Sequence, residues 1–71
     1  MSNYLASFAH TDDGPVGHIR LNAASDAQAV EEVREFVRHG YRNGTWASVE
    51  LSDGRIYGCR NEHGDALGGY A

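Results

Sequence analysis

Lysine is absent from this chain. The basic side chains apart from histidine are six arginines, Arg20, Arg34, Arg38, Arg42, Arg55 and Arg60, and ten carboxylates outnumber them to leave a formal charge of −4. Duplex nucleic acid is held by clustered positive charge that displaces counterions. Scattered and outnumbered arginines form no such cluster, so nucleic acid is not expected as a partner. Cysteine occurs once, as Cys59. It has no internal partner for a disulfide, and a lone thiol suits the cytoplasm. No apolar run approaches the roughly 20 residues of a membrane helix. The opening "MSNYLASFAH" lacks the basic region and apolar run of a secretory leader. The expected location is cytoplasmic, with no membrane partner. The all-arginine usage reads as that of a GC-rich genome, and the protein as bacterial or phage in type.

Large apolar residues are also scarce. Phe8, Ile19, Leu21, Val30, Val33, Phe36, Val37, Val49, Leu51 and Ile56 make up most of the set, with Trp46 and four tyrosines besides. A chain of 71 residues is one small domain. At about this size only roughly 60% of the unfolded surface is buried. Scaffolds with so thin a core draw on disulfides, metal or self-association. The first is unavailable within one chain, which favours the last.

What is present is clearest in the centre. "SDAQAVEEVREFVRHG" opens with Ser25 and carries Gln28 three residues later, the spacing of a capping box. Asp26, Glu31 and Glu32 suit the positive end of a helix, Arg38 and His39 the negative end, and Gly40 the stop. Ala29, Val30, Val33, Phe36 and Val37 recur at helical spacing. The pattern predicts a one-sided helix over 26–39.

Before it, residues 3–10 and 16–23 flank the turn-forming "DDGP". Pairing Phe8 with Ile19, Ala6 with Leu21 and Tyr4 with Ala23 gathers the apolar set on one face. After it, "TWASVELSDGRIYGC" reads as a second hairpin about Asp53-Gly54. A two-residue turn pairs Leu51 with Ile56 and Val49 with Gly58. A three-residue turn with Gly54 in a bulge instead sets Tyr57 and Cys59 beside Val49 and Leu51 and sends Ile56 outward. The two-residue turn is the commoner solution and is preferred. The expected fold is α+β: a two-layer ββαββ domain over residues 1–61, with a four-stranded, mainly antiparallel sheet and one helix on one face. Residues 62–71 are expected to form a flexible, Gly-rich tail.

The preferred register places Leu5, His18, Arg20, Trp46, Glu50, Tyr57 and Cys59 on the helix-free face. Apolar patches on monomers mark contact sites, and aromatics with arginine are enriched at interface centres. The interaction surface is therefore read as Trp46, Tyr57, Arg20, His18, Glu50 and Cys59, serving a homodimer or a protein partner. The plainer alternative tucks Trp46 against the helix end and lays Tyr57 over a neighbouring strand. Single-stranded nucleic acid also stacks on sheet aromatics, but Glu50 between Trp46 and Tyr57 opposes a polyanion.

Other chemistry finds little support. His10, Asp12, Asp13 and His18 could be considered as metal ligands, but the register points His10 and His18 to opposite faces. Cys59 and His63 lack the second pair that a closed zinc site needs. A nucleophile needs a positioned base, and free cysteine is more often a packing residue. Gly14-Pro15-Val16-Gly17 precedes no helix, so it cradles no phosphate. Neither metal, cofactor nor catalytic residues are expected.

The end, "HGDALGGYA", carries Gly68-Gly69. Strand–strand–helix–strand–strand resembles the opening order of the β-grasp fold, and the diglycine looks like that of ubiquitin-like and sulfur-carrier proteins. That resemblance implies a tail entering an activating enzyme, once Tyr70 and Ala71 are removed. It departs from the family in that "NEHGDALGG" is too polar for the central strand leading into such a tail. The expected function is thus a small non-catalytic interaction module, with a carrier as the alternative.

Overall fold

The computed structural model describes residues 4–11, 13–40 and 43–71. Asn3, the expected start of the first strand, Asp12, weighed as a ligand, and Arg42 lie outside the described residues. The elements are β1 (Leu5–Ala9), β2 (Gly17–Arg20), α1 (Asp26–Gly40), β3 (Trp46–Glu50), β4 (Ile56–Glu62) and β5 (Asp65–Tyr70). The strands form one sheet in the order β2-β1-β3-β4-β5, and every neighbouring pair is antiparallel. The architecture is α+β with one helix. The expected four strands are five among the described residues, because the expected tail supplies β5.

The helix begins where the capping pattern puts it. The Gln28 N–H donates to Ser25 Oγ at 3.3 Å, and the Gln28 side chain reaches back to accept from the Ala24 N–H at 2.8 Å. Asp26 then ties the helix start to both hairpins. Its carboxylate accepts from the Tyr4 hydroxyl at 2.6 Å, the Ser52 N–H at 3.0 Å and the Ser52 hydroxyl at 2.8 Å. These donors hold the Asp26 carboxyl below the usual carboxylate range, the Tyr4 bond contributing most. Ala29, Val33 and Val37 are fully buried beneath the helix, with Val30 and Phe36 half-buried at its flanks.

Both hairpins depart from the expected registers, with different consequences. In the first, Ala6 faces Ile19 and Phe8 faces Gly17. This is two residues from the expected pairing of Phe8 with Ile19. Side chains alternate with period two, so the apolar faces are unchanged. Gly17 explains the preference: a Cβ there would lie 2.7 Å from Phe8 Cζ, so only glycine lets that ring lie across β2.

In the second hairpin the bulged alternative is correct. The Leu51 N–H bonds the Arg55 carbonyl at 2.7 Å, closing a three-residue loop with Gly54 at φ +90°. Val49 therefore faces Tyr57 and Ala47 faces Cys59. A slip of one residue exchanges the faces. Tyr57 and Cys59 go under the helix and Ile56 goes out. The loop is reinforced by Asp53, which accepts from the Arg55 N–H at 3.0 Å and from its guanidinium at 2.7 Å.

The last hairpin turns on His63 and Gly64, at φ 54° and 91°. Two consecutive positive φ values make the tight turn whose twist matches paired strands. Histidine is an unusual first residue there, and asparagines support it. Asn43 Oδ1 accepts the His63 N–H at 2.7 Å, and Asn61 Oδ1 accepts the Gly64 N–H at 3.1 Å. Asn61 is itself buried, and its amide donates to the Val37 carbonyl at 2.8 Å, satisfying an acceptor in the last turn of α1. Gly68 faces Cys59 across the ladder. A Cβ on Gly68 would meet the Tyr57 ring at 2.6 Å from Cζ and closer still to the hydroxyl, whereas one on Gly69 would meet nothing.

Two outcomes follow for urea unfolding. Gly68→Ala is expected to lower stability by about 1–3 kcal/mol through overpacking, while Gly69→Ala is neutral or better. Asp26, its pKa lowered by folding, contributes stability that is complete above the ordinary value of 3.8 and lost as pH falls through the folded value. Asp26→Asn is therefore expected to be less stable at neutral pH and to lose less stability on acidification below that value.

Candidate interaction surfaces

The helix-free face is set by the even positions of β2, β3 and β4 and the odd positions of β1 and β5. His18 and Arg20 on β2 and Trp46 and Glu50 on β3 lie on it, as the sequence predicts. Trp46 stands opposite Ala9 and Arg20 opposite Leu5, at the two ends of β1. They are about 13 Å apart along the strand direction and form no single cluster. Trp46 pairs with Arg60, and Arg60 with Leu67.

Tyr57 and Cys59 require correction. Expected on this face, they are buried beneath α1, at 3% and 4% exposure. The physical reason is the bulged loop, which moves every β4 side chain to the opposite face from that of the two-residue turn. Arg34 reaches from α1 to donate to the Tyr57 hydroxyl at 3.1 Å. Burial pushes the Tyr57 phenol up, partly offset by that guanidinium. Burial likewise pushes up the Cys59 thiol. A thiol held neutral in apolar surroundings is a weak nucleophile.

Their places on the open face are taken by residues the sequence reading left aside or gave no role. Leu5, Ile56 and Leu67 are 51%, 46% and 57% exposed. They rim a floor of Ser7, Ser48, Gly58 and Gly69, which the registers align across four strands. The bulged register carried the signal for Ile56. For Leu67 the signal was the His63-Gly64 pair between Asn61 and Ala66, which the polar composition of the segment masked.

A second surface lies on the helix side. α1 packs chiefly against β3, β4 and β5; Ala6 and Leu21 are still buried at its flank, while Phe8 and Ile19, toward the outer edge of the sheet, are only partly covered. The result is a groove of about 370 Å³ between α1 and the first hairpin. Ala6, Phe8 and Ala47 form its floor, Ile19 and Leu21 one side, and Val33 and Phe36 the other, beneath Glu31, Glu32 and Glu35. Phe8 and Phe36 meet edge to face at 5.1 Å. Glu32 accepts the Asn22 N–H at 3.2 Å. Glu35 is paired with Arg38 at 3.3 Å and with His39 at 2.6 Å.

The diglycine of the carrier alternative is not a free end in this structure: Gly68 and Gly69 lie inside β5, paired with Cys59 and Gly58. Among the described residues no helix is long and apolar enough to cross a membrane, and no group of three or more His, Cys, Asp or Glu side chains could hold a metal ion. Family models, curated proteins and solved structures were compared with this chain, and none matches.

The burial of Cys59 is open to a direct check. With a thiol-reactive chromophore at neutral pH, the native protein is expected to react far more slowly than the urea-unfolded chain, and Gly68→Ala is expected to speed the native reaction by loosening β5 over Tyr57.

Proposed function

We propose that the chain is a non-catalytic interaction module of the bacterial cytoplasm that self-associates by stacking the helix-free faces of two sheets. The observation that carries this reading is the exposure of Leu5, Ile56 and Leu67 around a floor of serine and glycine, with Trp46 beside them. Arg60 stands between Trp46 and Leu67 and Glu50 beside Ile56, and exposed apolar side chains grouped on one face in this way suit a contact site. Sheets that stack face to face stand about 10 Å apart, and a floor without large side chains admits the rings and branched chains of the opposing sheet.

Charge and size agree with a second copy. His18, Arg20 and Arg60 share the face with Glu50, Glu62 and Asp65, so two copies can meet with opposite signs. The molecule measures 31 × 22 × 21 Å. A broad face has an outline of roughly 700 Å², near the ~800 Å² per partner of a standard interface. A thin core gains from burying such a face.

Light scattering coupled to size exclusion, run from micromolar to millimolar protein, tests this. The wild type is expected to pass from monomer to dimer, and Leu67→Glu to stay monomeric with an unchanged circular dichroism spectrum. A wild type that is monomeric throughout, or a Leu67→Glu variant that still dimerises, overturns the proposal.

A further inference from the structure

The groove beside α1 is a separate surface, on the other side of the sheet from the self-association face, and its shape specifies an occupant. Strand axes are about 4.8 Å apart, so the outer strands of this sheet are separated by about 19 Å. A helix with its side chains is about 10 Å wide. α1 rests chiefly over β3–β5; with Ala6 already buried, the strip between α1 and the β2 edge is at most one helix wide. Its walls differ. On one side stands α1, apolar near the sheet at Val33 and Phe36 and carboxylate-lined above. On the other side the sheet ends at β2, an edge strand. A groove open along one side leaves a small molecule half in water, whereas small-ligand sites enclose most of their ligand. A rod lying along the strands fits the end open at Phe8 and Ile19, while the Asn22 N–H bond to Glu32 closes the other end.

We infer that this groove docks an amphipathic, basic helix from another protein, laid beside α1 over β1 and β2. Its apolar stripe covers Phe8, Ile19 and Phe36, as the helix-in-groove mode of recognition requires. Ile19 is 44% exposed without it. Helices packed on one sheet have axes 8–10 Å apart, so the flank facing α1 lies against Glu31, Glu32 and Glu35. Glu31 accepts no hydrogen bond from a described side chain, and Arg34 one turn on attracts it only through space. That flank must therefore carry lysine or arginine. A second copy of this chain does not meet the requirement. Among the described residues its one helix buries its apolar stripe, Arg34, Arg38 and Arg55 are engaged with Tyr57, Glu35 and Asp53, and Arg20 and Arg60 lie on strands of the helix-free face, not on a helix.

The test titrates the intact chain with two fluorescent peptides of about four helical turns. Both carry the same leucine stripe, one with lysine flanks and one with glutamate flanks, and anisotropy reads binding. The lysine peptide is expected to bind at least about tenfold more tightly, with the gap closing as salt is raised. Ile19→Asp, at an exposed position, should weaken it by about tenfold or more. Glu31→Lys should narrow the preference between peptides while leaving the thermal midpoint unchanged. Leu67→Glu, on the other face, should leave peptide binding intact, so failure of self-association and failure of the groove are told apart.

Equal affinity for the two peptides overturns the proposal, as does binding indifferent to Ile19→Asp. If Ile19→Asp rather than Leu67→Glu abolishes a dimer, the groove belongs to a second copy. If an apolar dye binds there and neither peptide displaces it, the groove belongs to a small ligand. Either result rejects the basic helix.

Discussion

One helix cannot roof five strands. A rod about 10 Å wide shields two or three strands of a sheet whose outer axes are about 19 Å apart, and the rest of this molecule is arranged around that mismatch. α1 sits over β3–β5, where Ala47, Val49, Tyr57, Cys59 and Ala66 complete the core with Ala29, Val33 and Val37. Small side chains let the helix settle close to the sheet, and Tyr57, the one large ring buried among the described residues, is accommodated by Gly68. The shortfall falls on β2 and the Phe8 end of β1, where Phe8 and Phe36 pack against each other at the margin, while Ala6 and Leu21 remain in the core.

The C-terminal segment shows how polar residues can build order that composition does not suggest. Asn61 satisfies both an α1 carbonyl and the N–H of the turn glycine, and Asn43 supports the same turn from the β3 side. These bonds fix the β4–β5 turn, and β5 then gains a ladder along the whole of β4. At its end the Tyr70 ring meets Tyr57 at 5.2 Å, with the Arg55 guanidinium 4.8 Å from its centre. The glycines that resemble a carrier tail serve here as strand residues: one makes room for a phenol and the other leaves the outer face flat.

The two open surfaces differ in electrostatic character, which separates the partners they suit. The helix-free face mixes signs strand by strand, which suits the proposed meeting with its own copy. The groove is apolar below and acidic along one rim only, a pattern that its own acidic chain does not complement. The two proposed surfaces, one for a second copy and one for a basic helix, both follow from placing a carboxylate-rich helix off-centre on a sheet.

What the sequence by itself determined was whatever depends on neighbours in the chain. The capping residues Ser25 and Gln28 and the period of Ala29, Val33 and Val37 act over a single helical turn, so α1 is legible; Gly40, the expected stop, is itself the last helical residue. The alternation in residues 5–8 and 46–51 marks strands for the same reason, and with them the positions of Trp46, Glu50, His18 and Arg20 on the outer face. Tertiary structure decided whatever depends on a partner distant in the chain. The Asp53-Gly54 dipeptide serves either a two-residue turn or a bulged one. The choice, which sends Tyr57 and Cys59 inward and Ile56 outward, goes to the register that buries the phenol against Arg34 and Gly68. Neither residue is near Asp53 in sequence. Likewise β5 exists because Asn61 is bonded to α1, and the groove exists because α1 centres on β4. These are properties of a packed surface, and no local pattern encodes them.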